Sequence, residues 1–320
     1  MHVLRDPLRS TDLPRGGVGT IGNFDGVHLG HRKILETVVA RAREIDRPSF
    51  AITFEPHPMA ILRPDRAPRR IQTLRQKEET IEAIGVDTLL VIPFTRDFSL
   101  TEPEDFVRSL IATRLGAAEL YIGAHFAFGR GKRGDLALLS RLGTECGFAA
   151  SAVPEVHHAG QPVSSTRIRR ALEAGDIGEA NAMLGRQYEL DGIVSRGDRL
   201  GHRIGVPTIN LEAENELPPA DGVYVTEIEI RSFGRRFASV SNIGRRPTLY
   251  EDFTTTIETY VLDFSSDVYG DRVRLFFLER LREERKFPSV MDLKEQIQRD
   301  VEAAKSYFSE RAGQNRGPSG

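Results

Sequence analysis

Two histidines three residues apart, His28 and His31, are the side chains whose type and spacing most clearly indicate chemistry. They lie in residues 22–31, which read Gly-Asn-Phe-Asp-Gly-Val-His-Leu-Gly-His. Imidazoles at positions i and i+3 of a helix share one face, and a helix start presents unpaired N–H groups to an anion. Glycines such as Gly22 and Gly26 let the backbone approach a bulky phosphate closely. The stretch therefore indicates a phosphate site within reach of two imidazoles.

Two other interpretations of residues 22–31 are open at this point. A Gly-rich turn can serve tight packing alone, and two histidines can form half of a zinc site. Zinc needs further ligands, for which His57 and His125 are the candidates. An Asn, an Asp and two His within ten residues contribute little to a core, and this density favours the phosphate interpretation.

The elements around this stretch predict a strand, a turn and a helix. An apolar run, Val18–Ile21, comes before it, and apolar residues at helical spacing follow from Ile34 to Ala42. Further strands are predicted over residues 49–54, 86–92, 120–122 and 148–153, with helices over 73–84 and 101–116 between them. This alternation predicts a doubly wound parallel sheet with right-handed crossovers.

Two loops at predicted strand ends carry further candidates. His57 stands between two prolines after the strand 49–54, at the sheet edge where ligands bind in open parallel sheets. The loop 123–134 combines glycines and basic residues with His125, Phe126 and Phe128. It is interpreted either as a wall for an aromatic ligand beside a phosphate or as a plain flexible connection.

A third candidate segment, residues 164–169, reads Ser-Ser-Thr-Arg-Ile-Arg and opens a predicted helix. Cations are disfavoured at a helix N-terminus unless an anion is bound nearby. Arg167 and Arg169 are therefore candidates for holding phosphate oxygens.

The composition limits the class of protein. A chain of 320 residues is long enough for two domains. The balance of 44 basic against 46 acidic residues, with no long basic run, gives no indication of nucleic acid binding. The only cysteine, Cys146, excludes an intrachain disulfide and fits a reducing compartment. With no signal-like segment and no long apolar run, a cytoplasmic protein that does not span a membrane is expected, and homo-oligomerisation stays open.

After a short helix, Ile177–Leu184, the pattern changes to short strands separated by turns. They are predicted over residues 188–194, 222–230, 237–243, 256–264 and 273–278. Short strands without intervening helices suggest an antiparallel barrel. A helix with an apolar stripe follows from Ser289, and residues 311–320 are predicted to form a disordered tail.

Three features of this second half could act on a nucleotide. Gly197, Gly201 and Arg203 belong to a Gly- and Arg-rich loop that either wraps a polyphosphate or makes a plain turn. Thr208 and Asn210 are two apart, hence on one strand face, and offer hard oxygen ligands that suit Mg²⁺. Glu258 lies within an apolar strand pattern, where it is either on the solvent face or a functional carboxylate.

The first half resembles the FAD synthetase module of bacterial bifunctional riboflavin kinase/FAD synthetases. The resemblance rests on residues 22–31, on Glu-Pro-His-Pro at 55–58, on the loop 123–134 and on Ser-Ser-Thr-Arg-Ile-Arg. It implies an HxGH-class nucleotidylyltransferase that transfers AMP from ATP to FMN and releases pyrophosphate. In that class His28 and His31 would stabilise charge on the α-phosphate, with Arg169 as a third catalytic residue. The implied ATP-binding residues are Gly22, Phe24, Gly26, Ser164, Ser165 and Thr166, and the implied flavin-binding residues are His57, His125, Phe126 and Phe128.

The second half is similar to the riboflavin kinase module of the same family, a six-stranded barrel with a terminal helix. The residues that carry the similarity are 201–210, Gly222-Val223-Tyr224, 241–248 and 281–287. It implies that Gly197, Gly201 and Arg203 contact ATP, that Thr208 and Asn210 bind Mg²⁺ with ATP, and that Asn242 binds flavin. Glu258 would be the base that accepts the riboflavin 5′-hydroxyl proton.

The sequence thus predicts one chain with two consecutive activities, riboflavin to FMN and FMN to FAD. The predicted domains are 1–184 for adenylylation and 185–310 for the kinase. The predicted partners are riboflavin, FMN and ATP, with neither nucleic acid nor a membrane. The family usually has Asp or Asn at 125 and often Arg at 127, where this chain has His125 and Ala127. Two alternatives follow: a kinase whose first domain is weakened, and a flavin sensor without turnover.

Overall fold

The computed structural model describes residues 1–196, 207–247 and 253–314. The chain divides into two compact units, Met1–Ser165 and Thr166–Gly320. The predicted ATP-binding residues Gly197, Gly201 and Arg203 lie outside the described residues. Across the described ranges, every helix is too short or too polar to cross a membrane.

The first unit is built on a parallel sheet with helices between its strands. The strands of this sheet are β1 (His2–Arg5), β2 (Val18–Ile21), β3 (Ser49–Glu55), β4 (Thr88–Pro93), β5 (Glu119–Gly123) and β6 (Ala149–Val153), and a small hairpin follows, β7 (His157–His158) with β8 (Gln161–Pro162). The helices include α1 (Leu29–Glu44), α2 (Pro58–Leu62), α3 (Leu74–Ile84), α4 (Pro103–Phe106), which continues as a π-helix over Val107–Arg114, and α5 (Leu136–Cys146). The predicted doubly wound sheet is confirmed.

The sheet buries both of its faces. Alternate residues of β3 and β4 belong to two different core clusters, because successive side chains of a strand point to opposite faces. One cluster joins the sheet to α5 through Phe50, Ile52, Leu90 and Leu139. The other joins it to α1 and α3 through Ala51, Leu89, Leu35 and Ile81.

The strand order β1-β4-β3-β2-β5-β6 creates a switch point between β2 and β5. From β2 the chain moves outward to β3 and β4 on one side, and from β5 it moves to β6 on the other. Ligands of open parallel sheets bind at such a point, outside the carboxyl ends of the strands. The loops after β2 and β5 carry His28, His125 and the candidate aromatic residues.

Local sequence signals explain where the helices of this unit begin and end. Thr73 and Gln76 make both hydrogen bonds of a capping box at the start of α3, and Gly85 ends that helix in a left-handed conformation with φ 95°. Strand β1 was not predicted, because its four residues carry too short a pattern. Its place at the edge depends on parallel pairing with β4, which is distant in sequence.

The second unit contains two helices, a closed barrel and a final helix. The helices are α6 (Ser165–Ala174), which starts at the unit boundary, and α7 (Ile177–Leu184). The barrel strands are β9 (Tyr188–Ser195), β10 (Ile209–Ala213), β11 (Gly222–Ile230), β12 (Arg235–Pro247), β13 (Phe253–Val261) and β14 (Arg272–Glu283). They close in the order β10-β13-β12-β11-β14-β9, with antiparallel pairing throughout. The predicted six-stranded barrel is confirmed.

The final helix, α8 (Val290–Gln314), packs on the barrel. Ser289 caps it through its Oγ, which accepts from Asp292 N at 3.2 Å. Ala304, Val301 and Phe308 join barrel residues in one core cluster, as the apolar stripe predicts. Residues 311–314, predicted as part of a tail, continue the helix because Arg311 and Ala312 are good helix formers. Residues 315–320 lie outside the described part of the chain.

Candidate functional site

The turn after β2 places the two histidines through an unusual backbone. Phe24 and Val27 have positive φ values of 48° and 35°, and Gly26 has φ 83°. Gly22 leaves room for the Phe24 ring, since a Cβ there would lie 2.9 Å from Phe24 Cε1. Such conformations cost free energy in non-glycine residues and persist only where surrounding contacts hold them. Phe24 is 1% exposed, so its ring anchors the turn.

His28 is the N-cap of α1. Its Nδ1 accepts a hydrogen bond from the His31 backbone N at 3.3 Å, and its side chain is buried. Because Nδ1 is an acceptor, the neutral ring carries its proton on Nε2. This Nε2–H group can donate a hydrogen bond to a phosphate oxygen. Gly30 leaves room for the His28 ring, since a Cβ at Gly30 would lie 3.1 Å from His28 Cε1.

His31 packs against His28 and Phe24. Its ring centroid lies 3.7 Å from that of His28 and 5.4 Å from that of Phe24, which it meets edge-on. Burial of the ring, then the neighbouring His28 and Lys77, hold the pKa of His31 well below its ordinary value of 6.5. Its Nδ1 is buried and has no hydrogen-bond partner among the described residues. A neutral imidazole is therefore ready to donate a hydrogen bond without carrying a charge.

Asp25 ties the turn to neighbouring segments. The residue is 4% exposed, and its Oδ1 accepts from Ile71 N at 3.0 Å. The backbone oxygen of Asp25 accepts from Ser165 Oγ at 2.9 Å. The structure thus brings Ser165, predicted to bind phosphate, to the turn that carries the histidines. Ser164 is half-buried beside it in the chain.

The residues after β5 that were predicted to bind flavin differ in burial: one is exposed, one is half-buried and one belongs to the core. The His125 side chain is 86% exposed, and its Nε2 lies 3.2 Å from Glu155 Oε1. The half-buried Phe126 stacks on Phe128 at 5.6 Å. Phe128 is 7% exposed and belongs to the core cluster of the sheet, so its ring offers little surface to a ligand. His57 caps α2, where its Nδ1 accepts from Met59 N at 3.2 Å.

The remaining predicted phosphate residues of this segment lie in the second unit. Thr166 is exposed and Arg169 is half-buried, both in the first turns of α6. Arg167 forms an ion pair with Glu179 of α7, with 2.7 Å between its Nη2 and Oε1. Arg167 thus has a carboxylate partner within its own unit, whereas the sequence predicted that it would hold phosphate oxygens.

In the barrel, the predicted kinase residues form one row across adjacent strands. Asn210 of β10 lies directly opposite Glu258 of β13, and Glu258 lies directly opposite Asn242 of β12. The row continues through Val223 of β11 to Arg282 of β14. Residues directly opposite in a sheet project from the same face. Three residues far apart in sequence are therefore neighbours on one surface.

A cavity of about 310 Å³ lies over this row. Its polar lining includes Thr208, Asn242, Glu258 and Glu284. The barrel contributes Val223 and Val240, and α8 contributes Leu293, Ile297 and Val301. A cavity with mostly apolar walls and a few convergent polar groups is the usual form of a small-molecule site.

Arg282 and Asp300 fasten α8 to the rim of this cavity. The Arg282 guanidinium donates to both carboxylate oxygens of Asp300, with Nε–Oδ1 at 3.0 Å and Nη2–Oδ2 at 2.8 Å. Gln296 adds a third donor to Asp300 at 2.8 Å. Asp300 is 5% exposed, so the pair is largely shielded from water.

Glu284 and Arg282 were not predicted as site residues, although both belong to the segment 281–287 that carries the resemblance. Glu284 lines the cavity and accepts a hydrogen bond from the Asn242 side chain. Partial burial and then the nearby Asp221 raise the pKa of Glu284. The available signal was the run of charged residues from Arg282 to Lys286, because charged side chains concentrated at a strand end can be presented to a site.

The oxygen donors near Glu258 fit a hard cation. Thr208 lines the cavity, and Asn210 is paired with Glu258. Within the described ranges no group of three or more His, Cys, Asp or Glu side chains is arranged to hold a metal ion. A cation at Thr208 and Asn210 would thus take hydroxyl and amide oxygens, together with phosphate oxygens of a nucleotide.

Comparison with known families matches both units. The family model described as FAD synthetase matches residues 10–167, and the model described as riboflavin kinase matches residues 184–308. A solved structure from Streptococcus pneumoniae, described as a macrolide-efflux protein, superposes with a TM-score of 0.86 at 27% identity. It covers 95% of this chain, and this chain covers 99% of it.

Several curated relatives extend over nearly the whole chain, and each is named bifunctional riboflavin kinase/FMN adenylyltransferase. The Escherichia coli K12 protein is 34% identical over 96% of this chain and 98% of its own length. The Pseudomonas fluorescens protein is 38% identical over 91% and 93%, and the Haemophilus influenzae protein is 35% identical over 97% and 100%. The chain therefore belongs to the bifunctional riboflavin kinase/FMN adenylyltransferase family.

Proposed function

We propose that the chain makes FAD from riboflavin in two ATP-dependent steps, with the kinase in the barrel and the adenylyltransferase at the parallel sheet. The observation that carries the kinase is the row of Asn210, Glu258 and Asn242, of which Glu258 and Asn242 line a cavity of the barrel. The observation that carries the adenylyltransferase is the stacked histidine pair at the start of α1, beside the switch point of the sheet.

In the kinase step, the 5′-hydroxyl oxygen of riboflavin bonds to the γ-phosphorus of ATP. The bond from that phosphorus to the β–γ bridging oxygen breaks, and ADP leaves with the electron pair. Glu258 accepts the hydroxyl proton, since a primary alcohol is a poor nucleophile without a base. Asn242 and the apolar wall from α8 would hold the flavin ring in the cavity.

Thr208 and Asn210 are the residues that would hold Mg²⁺ with ATP, through a hydroxyl and an amide oxygen. When bound, the ion supplies positive charge against the transferring phosphate. The protein itself positions the base. Glu258 is paired with Asn210 on one neighbouring strand and with Asn242 on the other, and this register sets the face of β13 from which Glu258 projects.

In the adenylylation step, a phosphate oxygen of FMN bonds to the α-phosphorus of ATP. The bond to the α–β bridging oxygen breaks and pyrophosphate leaves. His28 and His31 donate hydrogen bonds to the α-phosphate as charge develops, and neither forms a covalent bond. Arg169, Ser164, Ser165 and Thr166 would hold the departing phosphates. Catalysis is then positioning and electrostatic stabilisation.

The assignment of α6 and α7 to the adenylyltransferase, with a boundary at 184/185, is part of this proposal. It is supported by the phosphate-binding character of residues 164–169, although these helices group with the barrel as compact units. The proposal also takes riboflavin, FMN and ATP as the partners, with the cytoplasm, where ATP is supplied, as the compartment. Neither nucleic acid nor a membrane takes part in it.

Incubation of the purified chain with riboflavin and ATP, followed by chromatography, tests both steps. We expect FMN to appear first and FAD to follow, with release of ADP and pyrophosphate. FMN without FAD would favour the kinase with a weakened first domain, which the exposed His125 and Ala127 suggest. Tight FMN binding without ADP or pyrophosphate would favour a sensor.

A further inference from the structure

A buried lysine, Lys77, lies beneath the turn that carries the histidines. It belongs to α3 and is only 6% exposed. Its Nζ donates to the backbone oxygen of Asn23 at 2.9 Å. Thr53 Oγ1 donates to the same oxygen at 3.2 Å. Lysine is almost never fully buried without a partner, so this position calls for an explanation.

The charged groups around Lys77 come from several elements. Burial lowers the pKa of Lys77, whereas Asp25 and Glu55 counter this effect by favouring the ammonium. Arg70 lowers the Lys77 pKa and Glu78 raises it. Arg70 is itself paired with Glu55 at 2.7 Å. The three carboxylates thus favour the positively charged form of a side chain that the interior disfavours.

The charge of Lys77 acts on His31. It contributes, after burial and His28, to the lowered pKa of His31. Removal of one partner from a group of buried charges generally lowers stability, so the role of this ammonium in the site has to be measured separately from its contribution to the fold. Lys77 donates its hydrogen bond to Asn23, the residue before Phe24. Phe24 has a positive φ, a conformation that persists only where surrounding contacts hold it.

We propose that Lys77 is a positioning residue of the adenylylation site, which holds the Asn23 carbonyl and places a fixed positive charge behind His28 and His31. The proposal rests on the adenylylation proposed above. Lys77 has two roles in this proposal. The hydrogen bond keeps the turn in the conformation that stacks the two rings, and the charge keeps His31 a neutral donor until the anionic substrates arrive.

The test replaces Lys77 by methionine and compares three measurements with the wild type. They are the rate of FAD formation from FMN and ATP, the rate of FMN formation from riboflavin, and the NMR titration of the His31 ring. We expect Lys77→Met to lower kcat for adenylylation roughly 10- to 100-fold through misplacement of the histidines. KM should change little, since Lys77 does not touch substrate. The His31 titration should move to higher pH, and FMN formation should be unchanged.

Lys33→Met is the matched control, because Lys33 is an exposed residue of α1 and the substitution removes the same charge. It should leave both rates and the His31 titration as in the wild type. If Lys77→Met behaves like Lys33→Met, the proposal is wrong. Failure of the wild type to form FAD would instead overturn the proposed function, and the His31 titration would still test the effect of the Lys77 charge.

Lys77→Arg keeps the inference testable if the methionine variant folds poorly. The arginine retains the charge and a donor, so the His31 titration should stay low and part of the adenylylation rate should return. Equal loss of FAD formation in both variants, with His31 titrating as in the wild type, would make Lys77 a packing residue and refute the proposal.

Discussion

The rings of His28 and His31 stack face to face, with their centroids 3.7 Å apart and 16° between their planes. Burial of the ring is the main cause of the lowered pKa of His31, and repulsion between two positively charged imidazoles at this separation adds to it. The pair thus offers hydrogen-bond donors in fixed positions rather than two cations. The positive charge that faces the phosphates then has to come from other residues and from the start of α1.

Replacement of His28 by alanine should lower the rate of FAD formation by roughly 10²–10³, the usual cost of one preorganised donor. It also removes the N-cap of α1, since His28 Nδ1 accepts from the backbone. The measurement is FAD formation from supplied FMN, with FMN formation from riboflavin as the reference within the same chain. His157→Ala, an exposed histidine of β7, is the control. An unchanged rate in His28→Ala would exclude the role proposed for the pair.

The lowered pKa of His31 predicts an acid-dependent loss of stability. Between the folded-state pKa and 6.5, the unfolded ring binds a proton that the folded ring does not. The free energy of unfolding should therefore fall as the pH drops below about 6.5. The measurement is the free energy of unfolding in denaturant from pH 7.5 to 5, for the wild type and for His31→Gln. The glutamine variant has no ring to titrate, so its unfolding free energy should fall less over this range. Equal slopes in the two proteins would contradict the prediction.

Glu258→Gln should lower riboflavin phosphorylation by roughly 10²–10⁴, because the amide keeps the shape of the side chain but cannot accept the proton. FAD formation from added FMN should be unaffected. Glu212→Gln, an exposed carboxylate on β10, serves as the control with the same change of charge. Loss of both activities in Glu258→Gln would show that the two sites are not separate.

Asp300→Ala should detach α8 from the cavity rim. Arg282 would lose its hydrogen bonds to a shielded carboxylate, and removal of one partner of a buried pair costs about 3 kcal/mol of unfolding free energy. We expect lower thermal stability and a loss of kinase activity, with adenylylation retained. Glu302→Ala on the exposed side of the same helix is the matched control. Kinase activity equal to that of the control would show that the ion pair does not support the cavity.

The sequence predicted those parts of the fold that local patterns encode. The helix over residues 73–84 and the strand–turn–helix around His28 follow from neighbours in the chain, and each is present. The row of Asn210, Glu258 and Asn242 could not be predicted from spacing, because strand register depends on pairing between distant segments.

At two positions, residue type alone does not show whether a side chain is buried. Phe128 was predicted to contact flavin, but an aromatic side chain gives no sign of whether it faces a ligand or the core, and this one is 7% exposed. Lys77 was not singled out in the sequence. The signal was its spacing of four residues from the buried Ile81, which places it on the inner face of α3.

The contribution of α8 to the cavity wall has a consequence for the order of events during synthesis. Domains generally fold as units while the ribosome extends the chain, the first one earliest. The parallel sheet is complete before the barrel strands emerge, whereas the cavity over Glu258 lacks Leu293, Ile297 and Val301 until the helix after the barrel has been translated. A nascent chain could thus acquire its adenylylating unit first and its phosphorylating pocket last, the reverse of the order in which the two reactions use the flavin.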